Sequence, residues 1–112
     1  METIAISKNV KISPRKLRLV ADFVRGLPVK TALDKLQFLT KAGARPVLKT
    51  IKSAVANAAH SKQPSTDNLK IKNILIDEGV KMKRRDTSHG QRFGGGVIMK
   101  RASHIKVVLT VN

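Results

Sequence analysis

An α+β fold is predicted for this chain: a small antiparallel sheet of about three strands, packed with three helices, from which a long β-hairpin protrudes. Three observations predict it. Period-two runs of apolar residues stand towards both ends, three stretches with helical spacing fill the middle, and a cationic, glycine-rich segment separates the last two β-type runs. The 112 residues suit one domain, and a hydrophobic fraction of 41% supports one ordinary small core rather than disorder.

The elements follow in order. Ile4, Ile6, Val10 and Ile12 alternate with Thr3, Ala5, Ser7, Asn9 and Lys11, which marks a first strand with one buried face. Ser13-Pro14 stops it, because Ser is a favoured N-cap and Pro suits the first helical position, where its missing N–H has no partner to lose. A helix is predicted from Pro14 to Arg25, with Leu17, Val20, Ala21 and Val24 on one side, and Gly26 ends it. After the turn at Leu27-Pro28, Ala32, Leu33, Leu36 and Leu39 space a second helix. A third, from Pro46 to His60, places Val47, Leu48, Ile51, Ala54, Val55 and Ala58 at helical intervals. Its small residues Ala54, Ala58 and Ala59 allow a neighbour to approach closely.

Ser61–Asn68 is polar, contains Pro64 and reads as a loop. Beyond it, Leu69–Asp77 alternates with a change of parity between Ile71 and Ile74, which predicts a β-bulge near Lys72–Asn73 or burial on both faces. Asp77-Glu78-Gly79 reads as a solvated strand end entering a turn. Ile105, Val107, Leu109 and Val111 alternate cleanly in the last strand, His104–Val111. Between these runs lies 80–101, VKMKRRDTSHGQRFGGGVIMKR, with seven cations against the single acid Asp86. Such a segment has too little apolar surface to pack on itself and calls for a polyanion. At about 3.3 Å per residue its arms would reach on the order of 30 Å.

Charge narrows the function classes. Lys+Arg is 23 against 7 Asp+Glu, a formal +16 with a pI near 11.2, and nucleic acid is the commonest answer to charge of this density. The absence of cysteine excludes disulfides, thiolate zinc sites and cysteine nucleophiles. The N-terminus has no basic segment followed by a long apolar run, so no secretory signal is expected, and no stretch approaches the roughly 18 apolar residues of a spanning helix.

Catalytic patterns are lacking. Asp77 and Glu78 are adjacent in a strand, where neighbours point to opposite faces, so they make no acid/base dyad. His60, His89 and His104 lack metal-ligand spacing, and no nucleophile elbow accompanies Ser103-His104. Gly94-Gly95-Gly96 lacks the order of a nucleotide-binding phosphate loop and suits a ribbon tip whose backbone approaches another surface. No metal, cofactor, small-molecule substrate or membrane partner is therefore expected. The basic residues carry the signal: Lys8, Lys11, Arg15, Lys16 and Arg18 near the first helix, and Lys81, Lys83, Arg84, Arg85, Lys100 and Arg101 at the ribbon base, which a sheet would bring together. Phe23 and Phe38 sit in helical patterns and are expected in the core, leaving Phe93 alone exposed. Recognition would then rest on nucleic-acid shape and phosphates rather than on stacking.

The chain resembles a known family. Ile12-Ser13-Pro14-Arg15-Lys16-Leu17-Arg18-Leu19-Val20 with Asp22 and Arg25-Gly26, then Ser53–Ala58, then Ile76-Asp77-Glu78-Gly79 with Met82-Lys83-Arg84, and finally Lys100-Arg101-Ala102-Ser103-His104-Ile105, look like bacterial large-subunit ribosomal protein twenty-two. The blocks stand in the family's order and cover nearly the whole chain. The resemblance implies a non-enzymatic constituent of the large subunit, cytoplasmic or on an organellar ribosome, that binds 23S rRNA, neighbours other ribosomal proteins and aids assembly. It implies that the hairpin reaches the wall of the peptide exit tunnel and the nascent polypeptide. On this resemblance Ser13, Pro14, Arg15, Lys16 and Arg18 would meet rRNA, and Lys83, Arg84, Lys100, Arg101, Ser103 and His104 would form the hairpin base. The tip is Ser88, His89, Gly90, Gln91, Arg92, Phe93, Gly94, Gly95 and Gly96. The chain departs from the family pattern there, and at Val80, where the family has Pro.

Two alternatives stand beside it. A DNA-binding architectural protein of the histone-like kind also combines helices with basic β-arms, although those arms carry apolar wedges, often Pro, that the tip lacks. A small RNA-processing enzyme would need convergent carboxylates or a metal site.

Overall fold

The computed structural model describes residues 2–61, 68–86 and 96–111. Their order is β1 (Glu2–Val10), α1 (Pro14–Val24), α2 (Val29–Phe38), α3 (Ala44–His60), β2 (Leu69–Asp86) and β3 (Gly96–Val111). The strands form one antiparallel sheet in the order β1-β3-β2, with the three helices on one face. The α+β expectation holds, including its three helices and three strands.

Each helix forms where its apolar stripe meets the sheet. Leu17, Val20, Ala21 and Val24 of α1, Val29, Ala32 and Leu36 of α2, and Val47, Ile51, Ala54 and Ala58 of α3 are buried against Ile71, Ile74, Ile76, Ile105, Val107 and Leu109. Pro14 opens α1, and Gly26, at φ +81, leaves it in the left-handed region that glycine enters without a Cβ penalty. Ser13 occupies the N-cap position, yet its side chain makes no capping bond; only its carbonyl is used, accepting from the Leu17 N–H. The start of α3 packs so close to α1 that a Cβ on Gly43 would meet Leu17 at 3.0 Å.

Three expectations need correcting. The first is the parity of β1: Ala5 is buried beneath the helices, while Ile4 and Ile6 stand 44% and 55% exposed on the other face. Thr3, Ala5 and Ser7, opposite Leu109, Val107 and Ile105, put small residues on the helical side, where α3 arrives with Ala54 and Ala58. Close approach of two small-residue surfaces outweighs burial of two isoleucines there. The second concerns Phe23 and Phe38, which are 47% and 80% exposed rather than in the core. Val29, Ala32 and Leu36 set the buried stripe of α2, and Phe38 lies about 200° around the helix from Leu36.

The third is Gly79. The chain makes no turn there, because β2 runs straight through to Asp86, and its ladder with β3 continues to the pair Asp86–Gly96. The bulge expected near Lys72–Asn73 is present as a register shift between Ile71 and Asn73, and a second shift lies between Glu78 and Lys81. At that second shift a Cβ on Gly79 would stand 3.1 Å from the backbone of Ala102. Glycine is needed for the close approach.

Part of each outer edge of the sheet is engaged. Arg25 Nη2 donates to the Ile74 carbonyl (2.8 Å), Arg18 Nη2 to that of Ile76 (3.1 Å), and the Ile71 N–H donates to the Leu27 carbonyl (3.0 Å) along β2. Along β1, Asn57 Nδ2 donates to the Ile4 carbonyl. Open strand edges invite pairing with other chains, and these bonds engage Ile71–Ile76 of β2 and Ile4 of β1.

Candidate nucleic-acid interface

Beyond Glu78 the ladder leaves the helical layer. Lys81, Met82, Lys83, Arg84, Arg85 and Val97 are all exposed, as are Lys100 and Arg101. The radius of gyration is 17.1 Å, against about 13 Å expected for a compact chain of this length, and the long axis is 61 Å. The register shows how the ribbon is charged. Lys83 faces Met99, Arg84 faces Ile98 and Arg85 faces Val97, so over these pairs the β2 arm is cationic and the β3 arm apolar. Residues opposite one another share a face and the faces alternate along the arms. Lys81, Lys83, Arg85 and Arg101 therefore project from one face, and Arg84 and Lys100 from the other.

The ribbon base is joined to the start of α1 by polar ties at the end of β1. Val10 pairs with Ser103, the Ser103 hydroxyl donates to the Ile12 carbonyl (2.6 Å), and the Asn9 N–H donates to His104 Nδ1 (3.1 Å). Asn9 takes φ +57, in the left-handed region that asparagine tolerates better than most residues, and this carries the chain over to α1. The segment bearing Lys8, Lys11 and Arg15 thus lies at the end of β3 that leads to Lys100 and Arg101. The antiparallel pairing of β1 with β3 brings the two ends of the sequence together here.

The individual residues then separate. Lys8, Lys11, Arg15, Lys16, Lys81, Lys83, Arg84, Arg85, Lys100 and Arg101 are exposed side chains. Arg15 and Arg18 project on the β2 side of α1, whereas Lys16, about 160° around the helix from Arg18, projects with Leu19 and Phe23. Arg18 commits one guanidinium nitrogen to Ile76. Lys81 lies 3.6 Å from Glu78, a solvated pair of little energetic weight. Ser103 is fully buried and offers no surface, so its place among the contact residues is corrected: it is a tie to Ile12. His104 is half-buried; because Nδ1 accepts a hydrogen bond, the neutral ring carries its proton on Nε2 and presents a donor. Ser13 is half-buried as well. The tip residues Ser88 to Gly95 lie outside the described residues, and Gly96 opens β3.

Sequence reasoning missed the Asn57 tie, for which only the general tendency of asparagine side chains to bond backbone could have served as a signal, and the Asn9 backbone tie to His104, for which the signal was the tolerance of asparagine for the left-handed region. It also missed the exposed aromatics of α1 and α2, which the helical phase of their buried neighbours would have revealed.

The fold and its cationic ribbon define a class: a small basic α+β domain whose two-stranded arm extends beyond its helical layer. Residues 5–110 match the family model described as Ribosomal protein L22p/L17e. The chain is 48% identical over 113 aligned positions to the large ribosomal subunit protein uL22 of Desulfotalea psychrophila, covering all of both chains. It is 41% identical over 111 positions to that of Mesoplasma florum, covering 98% of this chain and 96% of the relative. The chain belongs to this family: it is a ribosomal protein with a structural rather than catalytic role, and it matches the family's large-subunit members.

Proposed function

We propose that this protein binds the ribosomal RNA of the large subunit, aids its assembly, and extends 80–101 to the wall of the nascent-peptide exit tunnel. The observation that carries the reading is the continuation of the β2–β3 ladder past its helical cover, as exposed backbone pairs flanked by cations. A two-stranded ribbon is marginal alone in water and becomes useful when a partner covers it. Its arms differ in chemistry. The β2 arm, with Lys81, Lys83, Arg84 and Arg85, lies on phosphates, and Val97–Met99 of the β3 arm are left for the less polar surroundings of the tunnel wall and the passing polypeptide. At the base, Lys8, Lys11, Arg15, Lys100 and Arg101 contact the RNA backbone, and His104 donates from Nε2. These are position-fixing contacts, and their number sets the salt dependence.

The test is sedimentation of a lysate on a sucrose gradient in high salt. Retention with the large subunit is expected, and release to the top of the gradient at modest salt, with the protein retained on DNA, would overturn the reading. With purified protein and large-subunit rRNA, roughly six to eight phosphate contacts would lower log affinity steeply with log salt, by roughly 0.7–0.9 in slope per contact. Lys83→Ala and Arg84→Ala should each reduce that slope by about one such increment and leave the melting temperature unchanged.

A further inference from the structure

We infer that the helical layer carries a second RNA-contacting site, in which Phe38 is a stacking platform for an unpaired nucleobase and Lys35, Lys41 and Arg45 hold the flanking phosphates. The inference rests on the proposed RNA-binding role and concerns a surface separate from the ribbon and its base. Leu19, Phe23 and Phe38 are 65%, 47% and 80% exposed, although the chain has only three phenylalanines. They are not scattered. Lys35 Nζ lies 5.4 Å from the centre of the Phe23 ring, and Phe38 follows Lys35 by three residues on α2, which places Lys35 and Phe38 at adjacent positions of one helix face.

Two hollows open beside Phe23 and beside Leu39 and Lys41, which follow Phe38 in the chain and line both. One, of about 120 Å³, is lined by Leu19, Phe23, Leu39 and Lys41; the other, of about 350 Å³, shares Leu39 and Lys41 and adds Leu48 and Arg45. The smaller hollow is apolar apart from Lys41, the larger mixes Leu36, Leu39 and Leu48 with Gln37, Lys41 and Arg45, and Lys16 stands on the same side of α1 as Leu19 and Phe23.

Charge complementarity selects the occupant. A second copy of this chain would bring another +16 to a rim that is already positive. An unstacked nucleotide brings an aromatic face for the ring and phosphates for the lysines and arginine, the combination by which single-stranded RNA is bound. One face of the Phe23 ring is already taken by the Lys35 ammonium. Phe38, at the end of α2, is the open platform.

The experiment uses the full chain, which contains no tryptophan, so that Phe38→Trp places one reporter at the site. Protein-free large-subunit rRNA is the probe. Stacking predicts strong quenching of the single tryptophan on binding. It predicts a loss on the order of tenfold in affinity for Phe38→Ala and Phe38→Leu, with no change in salt slope and with Phe38→Trp retaining binding. Circular dichroism should be unaltered, because the residue supports no core. RNA binding without quenching of the Phe38→Trp reporter, together with full affinity in Phe38→Leu, would overturn the inference while leaving the proposed function standing. Failure of the unsubstituted chain to bind the RNA would overturn both. A reporter that responds to isolated large-subunit proteins but not to RNA would assign the hollows to a protein contact and overturn the stacking site.

Discussion

One pair of strands, β2 and β3, is built in two ways along its length. Between Leu69 and Glu78 it carries Ile71, Ile74 and Ile76 opposite Leu109, Val107 and Ile105, all buried beneath the helices. Between Lys81 and Asp86 the same backbone ladder continues, but none of its paired side chains is buried. The hydrogen-bond pattern does not distinguish the halves; their side chains do. Backbone pairing alone leaves a ribbon marginal, whereas an apolar face under three helices makes a core. The inner half is packed within this chain, and the outer half carries no apolar layer over it among the described residues. Gly79 and its register shift mark the border.

Substituting equivalent places on either side of that border would expose the difference most strongly. Ile105→Ala, in the inner half, should cost about 2–5 kcal/mol in denaturant unfolding, since it removes a fully buried side chain from a layer with little freedom to collapse. Met82→Ala, in the outer half, should change stability by less than about 0.5 kcal/mol, because Met82 is 68% exposed. Similar losses for both would mean that the ribbon is part of the cooperative unit. Next in size is the border itself. Gly79→Val would press a branched side chain on the backbone of Ala102, and overpacking of this kind costs roughly 1–3 kcal/mol. Its exchange signature sharpens the comparison: faster amide exchange should be concentrated at 80–82 and 100–102, with the amides of Ile74 and Val107 still protected. Uniform loss of protection would place the border elsewhere.

How much of this was legible in the sequence differs between the halves for the same reason. Period-two and period-3.6 spacing reports burial, so the inner strands, the bulge at Lys72–Asn73 and the three helices could be read directly. The convergence of Lys8, Lys11 and Arg15 on the ribbon base followed from topology. Burial of Ser103 did not, because a serine between Ala102 and His104 looks the same whether it faces RNA or a carbonyl of its own chain. The outward turn of Ile4 and Ile6 was illegible for a related reason: alternation marks two faces, and which one meets the helices depends on the small residues of a distant element, α3. Phe23 and Phe38 do sit in helical segments, but their phase places them off the stripes buried by Leu17, Val20 and Val24 and by Val29, Ala32 and Leu36.

The buried tie at the border end of the sheet gives the third effect. Ser103→Ala removes the donor to the Ile12 carbonyl and leaves that acceptor to find another partner, a loss of about 1 kcal/mol and up to about 3 if the carbonyl stays dry. Thermal unfolding of the variant would show it. The consequence reaches the outer half, since the same tie fixes Lys11 and Arg15 beside the ribbon base. RNA affinity should therefore fall at a salt slope close to that of the unsubstituted protein, unlike the slope change expected for Lys83→Ala. An unchanged melting temperature together with a reduced slope would instead make Ser103 a direct contact.

The smallest effect belongs to the inner half's far end, where Lys72 of β2 reaches across β3 to Glu2 of β1 in an ion pair. The hydrogen bond and charge of the Lys72 ammonium hold the Glu2 carboxyl below its usual 4.5. A carboxyl depressed in the folded state contributes its stability fully above the unfolded value and loses it as pH falls through the folded one. Denaturant midpoints should thus fall slightly between about pH 5 and pH 3, and Glu2→Gln should remove that part of the slope. Both partners are about half exposed, so solvent and salt weaken the pair, and about 1 M salt should erase most of the difference between Glu2→Gln and the unsubstituted chain. A pH-dependent loss in Glu2→Gln as large as in the unsubstituted chain would mean that the slope does not come from the Glu2–Lys72 pair. The contrast with the ribbon would remain: in the inner half an ion pair adds to a surface that packing has already closed, and in the outer half cations without a covering layer are available to a partner.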